Sequence, residues 1–123
     1  VSDDSDLWEV EFTDEFEAWW IELTPQQQDS IVAAVEILAS GGPALGRPLV
    51  DRIENSRHQN MKELRIPRGN IRILFIFDPL RNAILLIGGD KSNRWAEFYR
   101  EMIPLADDLY DEHLEALKRE GQR

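Results

Sequence analysis

"NIRILFIFDPLRNAILLIGGDK", residues 70–91, decides how this chain folds. Two apolar runs, 71–77 and 83–88, flank Asp78-Pro79-Leu80-Arg81-Asn82, a connection of hairpin length. Both runs are apolar on each face, which suits the centre of a sheet covered by helices. Two features do not belong to a plain core. Arg72 interrupts the first run, and the second ends on Gly88-Gly89-Asp90-Lys91.

Upstream, 48–53 and 61–66 read as two further strands, separated by the polar loop "ENSRHQN". Residues 7–12, "LWEVEF", alternate apolar and acidic side chains, as a half-exposed strand does. Phe16, Trp19, Trp20 and Leu23 then fall on one stripe of a short helix. Thr24-Pro25-Gln26-Gln27 offers a cap, a first-turn proline and a capping box for a second helix. Ile31, Val35 and Leu38 form its apolar face, and Gly41-Gly42-Pro43 stops it. Downstream, Trp95, Phe98, Tyr99 and Met102 mark another helix, which Pro104 is expected to interrupt before it resumes over 105–118. The order strand, helical hairpin, four strands, helix predicts a single α+β domain over 1–123, with flexible ends at 1–6 and 119–123.

The 123 residues contain no cysteine, which excludes thiol catalysis, a disulfide scaffold and cysteine-based zinc sites. No apolar run approaches the roughly 20 residues that span a bilayer. The acidic start is unlike a secretory leader, so we expect a cytoplasmic protein without membrane contact. The net charge of -10 opposes nucleic-acid binding, yet its distribution is uneven. Residues 1–46 hold 11 acidic and no basic side chains, whereas 47–100 hold 11 basic and 6 acidic ones. A basic centre lies between acidic ends, and fields act over only about 8 Å at physiological salt.

Few residue patterns offer chemistry. Asp90-Lys91-Ser92 imitates a phosphate loop, but Asp90 and Leu85 stand where that motif needs glycines. No metal-ligand spacing and no nucleophile elbow occurs, so no metal or cofactor is expected. His113 reads as a solvated surface residue, while His58, in the polar loop, could move a proton. The acidic runs around Asp14 and Asp107 read as solvated helix faces. A cationic set remains: Lys62, Arg65, Arg72, Lys91 and Arg94. Arginine holds phosphate bidentately, and a lysine crowded by cations loses proton affinity. Such a set suits attack of a ribose 2′-OH on the adjacent phosphate without metal. Alternatively, Arg65 or Arg72 pairs with Glu63 or Asp78 and merely ties the sheet together.

The segment "MKELRIPRGNIRILFIFDPLRNAILLIGGDKSNRW", followed by "YREMIPLADDLYDEHLEAL", resembles the phage-derived HigB-like branch of the RelE/ParE toxin superfamily. The resemblance covers about residues 7–118 and implies a RelE-like fold. That fold sets an N-terminal strand and helical hairpin against a mainly antiparallel sheet of four to five strands, with a C-terminal helix. It implies a toxin of a type II toxin–antitoxin pair, a ribosome-dependent endoribonuclease that cleaves mRNA. It implies as partners a helix-turn-helix, HigA-like antitoxin, through which alone operator DNA is bound, together with the ribosome and mRNA. The family's strand cations fall on Arg65 and Arg72 and its last-strand basic residue on Lys91, with Lys62, Arg94 and Tyr99 as weaker transfers and His58 as an assisting candidate. RelE-type ribonucleases are usually basic, and this chain is acidic. Two alternatives therefore stay open: a non-enzymatic gyrase inhibitor like ParE, and a degenerate toxin that only binds its antitoxin.

Overall fold

The computed structural model describes residues 7–121. Strand β1 (Glu9–Phe12) leads into helices α1 (Asp14–Trp20) and α2 (Pro25–Gly41), then a 3-10 turn at Gly42–Ala44. Strands β2 (Val50–Arg52), β3 (Lys62–Arg65), β4 (Ile71–Phe77) and β5 (Asn82–Asp90) follow, and helix α3 (Trp95–Gly121) ends the domain. The five strands lie in the order β1-β5-β4-β3-β2, with β1 parallel to β5 and every other pair antiparallel. This is the α+β arrangement expected, with β1 as the one parallel edge.

The hairpin of β4 and β5 is the centre of three layers. Ile73 and Phe75 of β4 and Leu85 of β5 face α1 and α2, where they pack with Phe16, Ile31 and Leu38. Leu74, Ile76 and Leu86 face α3 and its Phe98, Ile103 and Leu109. Burial on both faces explains why these strands show no polar alternation. Asp78 shapes the turn: its Oδ1 accepts from the Leu80 and Asn82 backbone N–H groups at 2.9 Å each.

A register shift answers half of the question posed by the Gly-Gly terminus. Leu74 pairs with Ile87 but Phe75 pairs with Leu85, so Leu86 is the extra residue of a bulge in β5. The bulge reverses the alternation beyond it. Gly88 then faces α1, where an added Cβ would stand 2.3 Å from the Trp19 ring. Gly89 faces α3, where one would stand 2.9 Å from Phe98. The two glycines let a helix close on each side of the same strand end. Thr13 secures the arrangement: its hydroxyl accepts from Phe16 N at 3.0 Å to cap α1 and donates to the Leu86 carbonyl at 2.7 Å.

The capping box of α2 forms as read, with Thr24 Oγ1 accepting from Gln27 N and Gln27 Oε1 from Thr24 N. One expectation fails. Pro104 does not interrupt the last helix, because it lies on the exposed face of α3, where water can satisfy the carbonyl it frees. Residues 119–121 lie within α3; 1–6 and 122–123, the rest of the two ends, lie outside the described residues.

The Gly88→Ala variant should be destabilised by about 2 kcal/mol, because the new methyl group must displace a packed indole. Gly46→Ala, with nothing within 4 Å of the added carbon, should unfold in urea near the parent's midpoint.

Candidate functional site

Strand parity decides which cations can meet. Side chains two apart on a strand share a face, so Glu63 and Arg65 of β3 face α3, whereas Lys62 and Leu64 face the helical hairpin. Arg65 pairs directly with Arg72 of β4 in the ladder, which starts both side chains from the α3 face. Lys91 follows the last residue of β5, and its backbone N–H donates to the Asn70 carbonyl at 3.0 Å, which prolongs the sheet past Asp90. Trp95 and Tyr99, one turn apart on α3, close the other wall. Together Asp51, Glu63, Arg65, Lys91, Trp95 and Tyr99 line a hollow of about 350 Å3.

Glu63 organises this hollow. It is only 3% exposed. Its Oε1 accepts from the Tyr99 hydroxyl at 2.6 Å and its Oε2 from Arg65 Nε at 2.9 Å. Burial first, then the hydrogen bond and charge of Glu63, push the Tyr99 phenol up to about 12. Arg65 also donates through a terminal nitrogen to Asp51 Oδ2 at 2.9 Å, so two carboxylates compensate it. Arg72 differs. It donates to the carbonyls of Ile71 and Gly69, and its Nε is the one buried side-chain polar atom without a partner among the described residues.

Lys91 is 1% exposed, with its Nζ 3.1 Å from the centroid of the Trp95 ring. Burial lowers its proton affinity, and the Arg72 charge lowers it further. Trp95 itself is 60% exposed, so one indole face covers the ammonium while much of the residue meets solvent. The resting hollow is therefore closed over Lys91.

The other candidates lie elsewhere. Lys62 points to the opposite face, with its amine 3.4 Å from the Pro43 carbonyl and over the Phe77 ring. Arg94 is tied on the surface to Glu97 and Glu101. His58 bonds Asp111 at 2.8 Å and meets Tyr110 edge-on, which anchors the loop before β3 to α3. The run at 107–112 is not a purely solvated face either. Asp107 is buried and accepts from Ser56 Oγ and the Arg57 backbone N–H, and Arg57 also bonds Asp108 and Asp111.

His113 is not a solvated residue. Its Nε2 lies 2.9 Å from Oδ2 of the buried Asp78. Burial opposes the charge of Asp78, yet hydrogen bonds from His113, Asn82 and Leu80 outweigh it and hold the carboxyl below its ordinary range. Among the described residues, Glu11, Asp78 and His113 form the one grouping with metal-ligand chemistry, their ligand atoms within 4.8 Å of one another. Asp78 and His113 are already bonded to each other there, and the grouping lies outside the hollow.

The Arg65–Glu63 pair is the alternative the sequence offered; its link onward to Tyr99, and Trp95 as the cover, were not read from it. Parity was the available signal for the pair: Glu63 and Arg65 are two apart, Lys62 and Arg65 three. Nothing in the helical stripe distinguishes Trp95 from its core neighbours.

Residues 18–111 match the family model described as Phage derived protein Gp49-like (DUF891). Two proteins of Mycobacterium tuberculosis, named as toxins HigB2 and HigB3, are 49% identical over 100 residues and 48% identical over 91. The matches cover 79% and 74% of this chain; they span half the length of HigB2 and 80% of HigB3. Among solved structures, the archaeal RelE–RelB complex from Pyrococcus horikoshii OT3 is similar at a TM-score of 0.57 and 12% identity. That likeness covers 70% of this chain and 97% of the other, and it shows the RelE-like fold. By the length of the family match and the identity of its relatives, this chain belongs to the phage-derived, Gp49-like family.

Proposed function

We propose that the chain is the toxin of a type II toxin–antitoxin pair and cleaves mRNA on the ribosome. The names of HigB2 and HigB3 and the RelE-like fold support the toxin reading. One observation carries the chemistry: Arg65 and Arg72 stand opposite each other on the face that Lys91 borders, and Arg72 keeps a buried donor unpaired. An unpaired buried donor costs about 1–3 kcal/mol, a deficit that a bound phosphate oxygen would remove.

In this reading the guanidinium groups hold the scissile phosphate. Glu63 takes the proton of the ribose 2′-OH as that oxygen attacks phosphorus, and Arg72 stabilises the charge that develops on the phosphoryl oxygens. The bond to the 5′-oxygen breaks, and Lys91 supplies the proton that this oxygen needs. The products are a 2′,3′-cyclic phosphate and a free 5′-hydroxyl. Tyr99 is too weak an acid to act as the base; it orients Glu63. Trp95 must turn aside from Lys91, and its indole then offers a stacking surface for a neighbouring base. In this reading no step needs a metal. The antitoxin partner, its helix-turn-helix type, the ribosome and a cytoplasmic site of action are parts of the same proposal.

A second reading has an observation of its own. Arg65 is neutralised by Glu63 and Asp51, as in a degenerate toxin that only binds its antitoxin. Expression without the antitoxin separates the two readings. Growth arrest with cleaved transcripts supports the nuclease; harmless expression supports the binder, and early loss of DNA synthesis would mark a gyrase poison.

In a ribosome-dependent cleavage assay, Arg72→Ala should lower the rate by about a hundredfold or more. Asp51→Asn should raise it about two- to fivefold, since the partly exposed ion pair competing for Arg65 is worth less than about 1 kcal/mol. Ultraviolet titration tests the anchor: Glu63→Gln should bring the Tyr99 phenol down from about 12, because the carboxylate that disfavours phenolate is gone. An unmoved phenol would remove Glu63 from its assigned place.

A further inference from the structure

The hollow lies on the α3 face of the sheet. On the opposite face, β1, α1 and α2 leave a groove of about 500 Å3. Phe12, Phe16, Trp20, Ile21, Val32 and Val35 line it. Ile21 is 69% exposed and Phe12 56%. Single exposed apolar residues are ordinary, whereas a contiguous set around a groove marks a binding surface.

The charge around the groove selects the occupant. Glu17 and Glu36 form part of its wall, and Asp14 and Glu15 are exposed on the same helix as Glu17. No lysine or arginine occurs anywhere in residues 1–46 to relieve them. An apolar trough with a rim of one sign accepts a partner that is apolar in its centre and of the opposite sign at its flanks. A nucleic-acid backbone would be repelled by the same rim.

We propose that this groove binds a basic amphipathic segment of the antitoxin, apolar side chains inward and Lys or Arg against Glu17 and Glu36. The proposal rests on the toxin–antitoxin reading and adds to it the surface and the chemistry of the partner segment.

The test uses the whole chain and, as probe, the antitoxin that the toxin–antitoxin reading expects a neighbouring gene to encode, with affinity measured by calorimetry at low and high salt. Ile21→Lys combined with Val32→Lys removes apolar contact and adds the wrong charge at two exposed positions, and should weaken binding about 30-fold or more. Glu17→Lys combined with Glu36→Lys should weaken it about tenfold at low salt and less at high salt. Leu80→Lys, equally exposed but on the β4–β5 turn, should bind as the parent does. Undiminished binding by both groove variants overturns the groove and leaves the toxin–antitoxin reading standing. A parent chain that does not bind its neighbour at all overturns both. A parent that sediments as a dimer, with groove variants that sediment as monomers, overturns the proposal in favour of a second copy as occupant.

Discussion

The bond between the Glu63 carboxylate, the Arg65 guanidinium and the Tyr99 hydroxyl is the constraint on which the site depends. It joins strand β3 to helix α3 across the hollow, so sheet and helix cannot move independently there. A buried carboxylate is tolerated because both of its oxygens are satisfied, one by a cation. Its negative charge in turn makes room for a lysine sealed beneath a tryptophan and for two arginines that share a ladder position. Without it, three cations would repel one another in a poorly solvated space.

The central sheet was legible because its signals are redundant. Two apolar runs with a hairpin-length break can hardly be read otherwise, and a capping box with a first-turn proline fixes the start of α2 within a residue. The site was half legible. Arg65, Arg72 and Lys91 were found as cations out of place in apolar strands, and the structure brings them to one face. Lys62 was grouped with them by proximity in sequence, although an odd spacing on a strand sends side chains to opposite faces.

The histidine misses share one physical cause: each depends on a contact between segments far apart in the chain. His58 and His113 read as loop and surface residues because their carboxylate partners, Asp111 and Asp78, lie 53 and 35 residues away. Trp95 reads as core because its stripe is apolar, and only the docked position of α3 leaves it over Lys91. Pro104 reads as a break because propensity is local, while the face it occupies is a property of the assembled helix and sheet.

The parallel pairing of β1 with β5 bears on how the molecule comes together. Thr13 bonds the Leu86 carbonyl across 73 residues, so β1, made before the other four strands, cannot pair until β5 has been made. During synthesis from the N-terminus, β1 waits unpaired until the central hairpin has emerged. Tyr99, which locks Glu63, is made later still. A chain growing on the ribosome therefore holds no finished hollow until the start of α3 has been translated, and non-local closure of this kind is slow compared with helix formation.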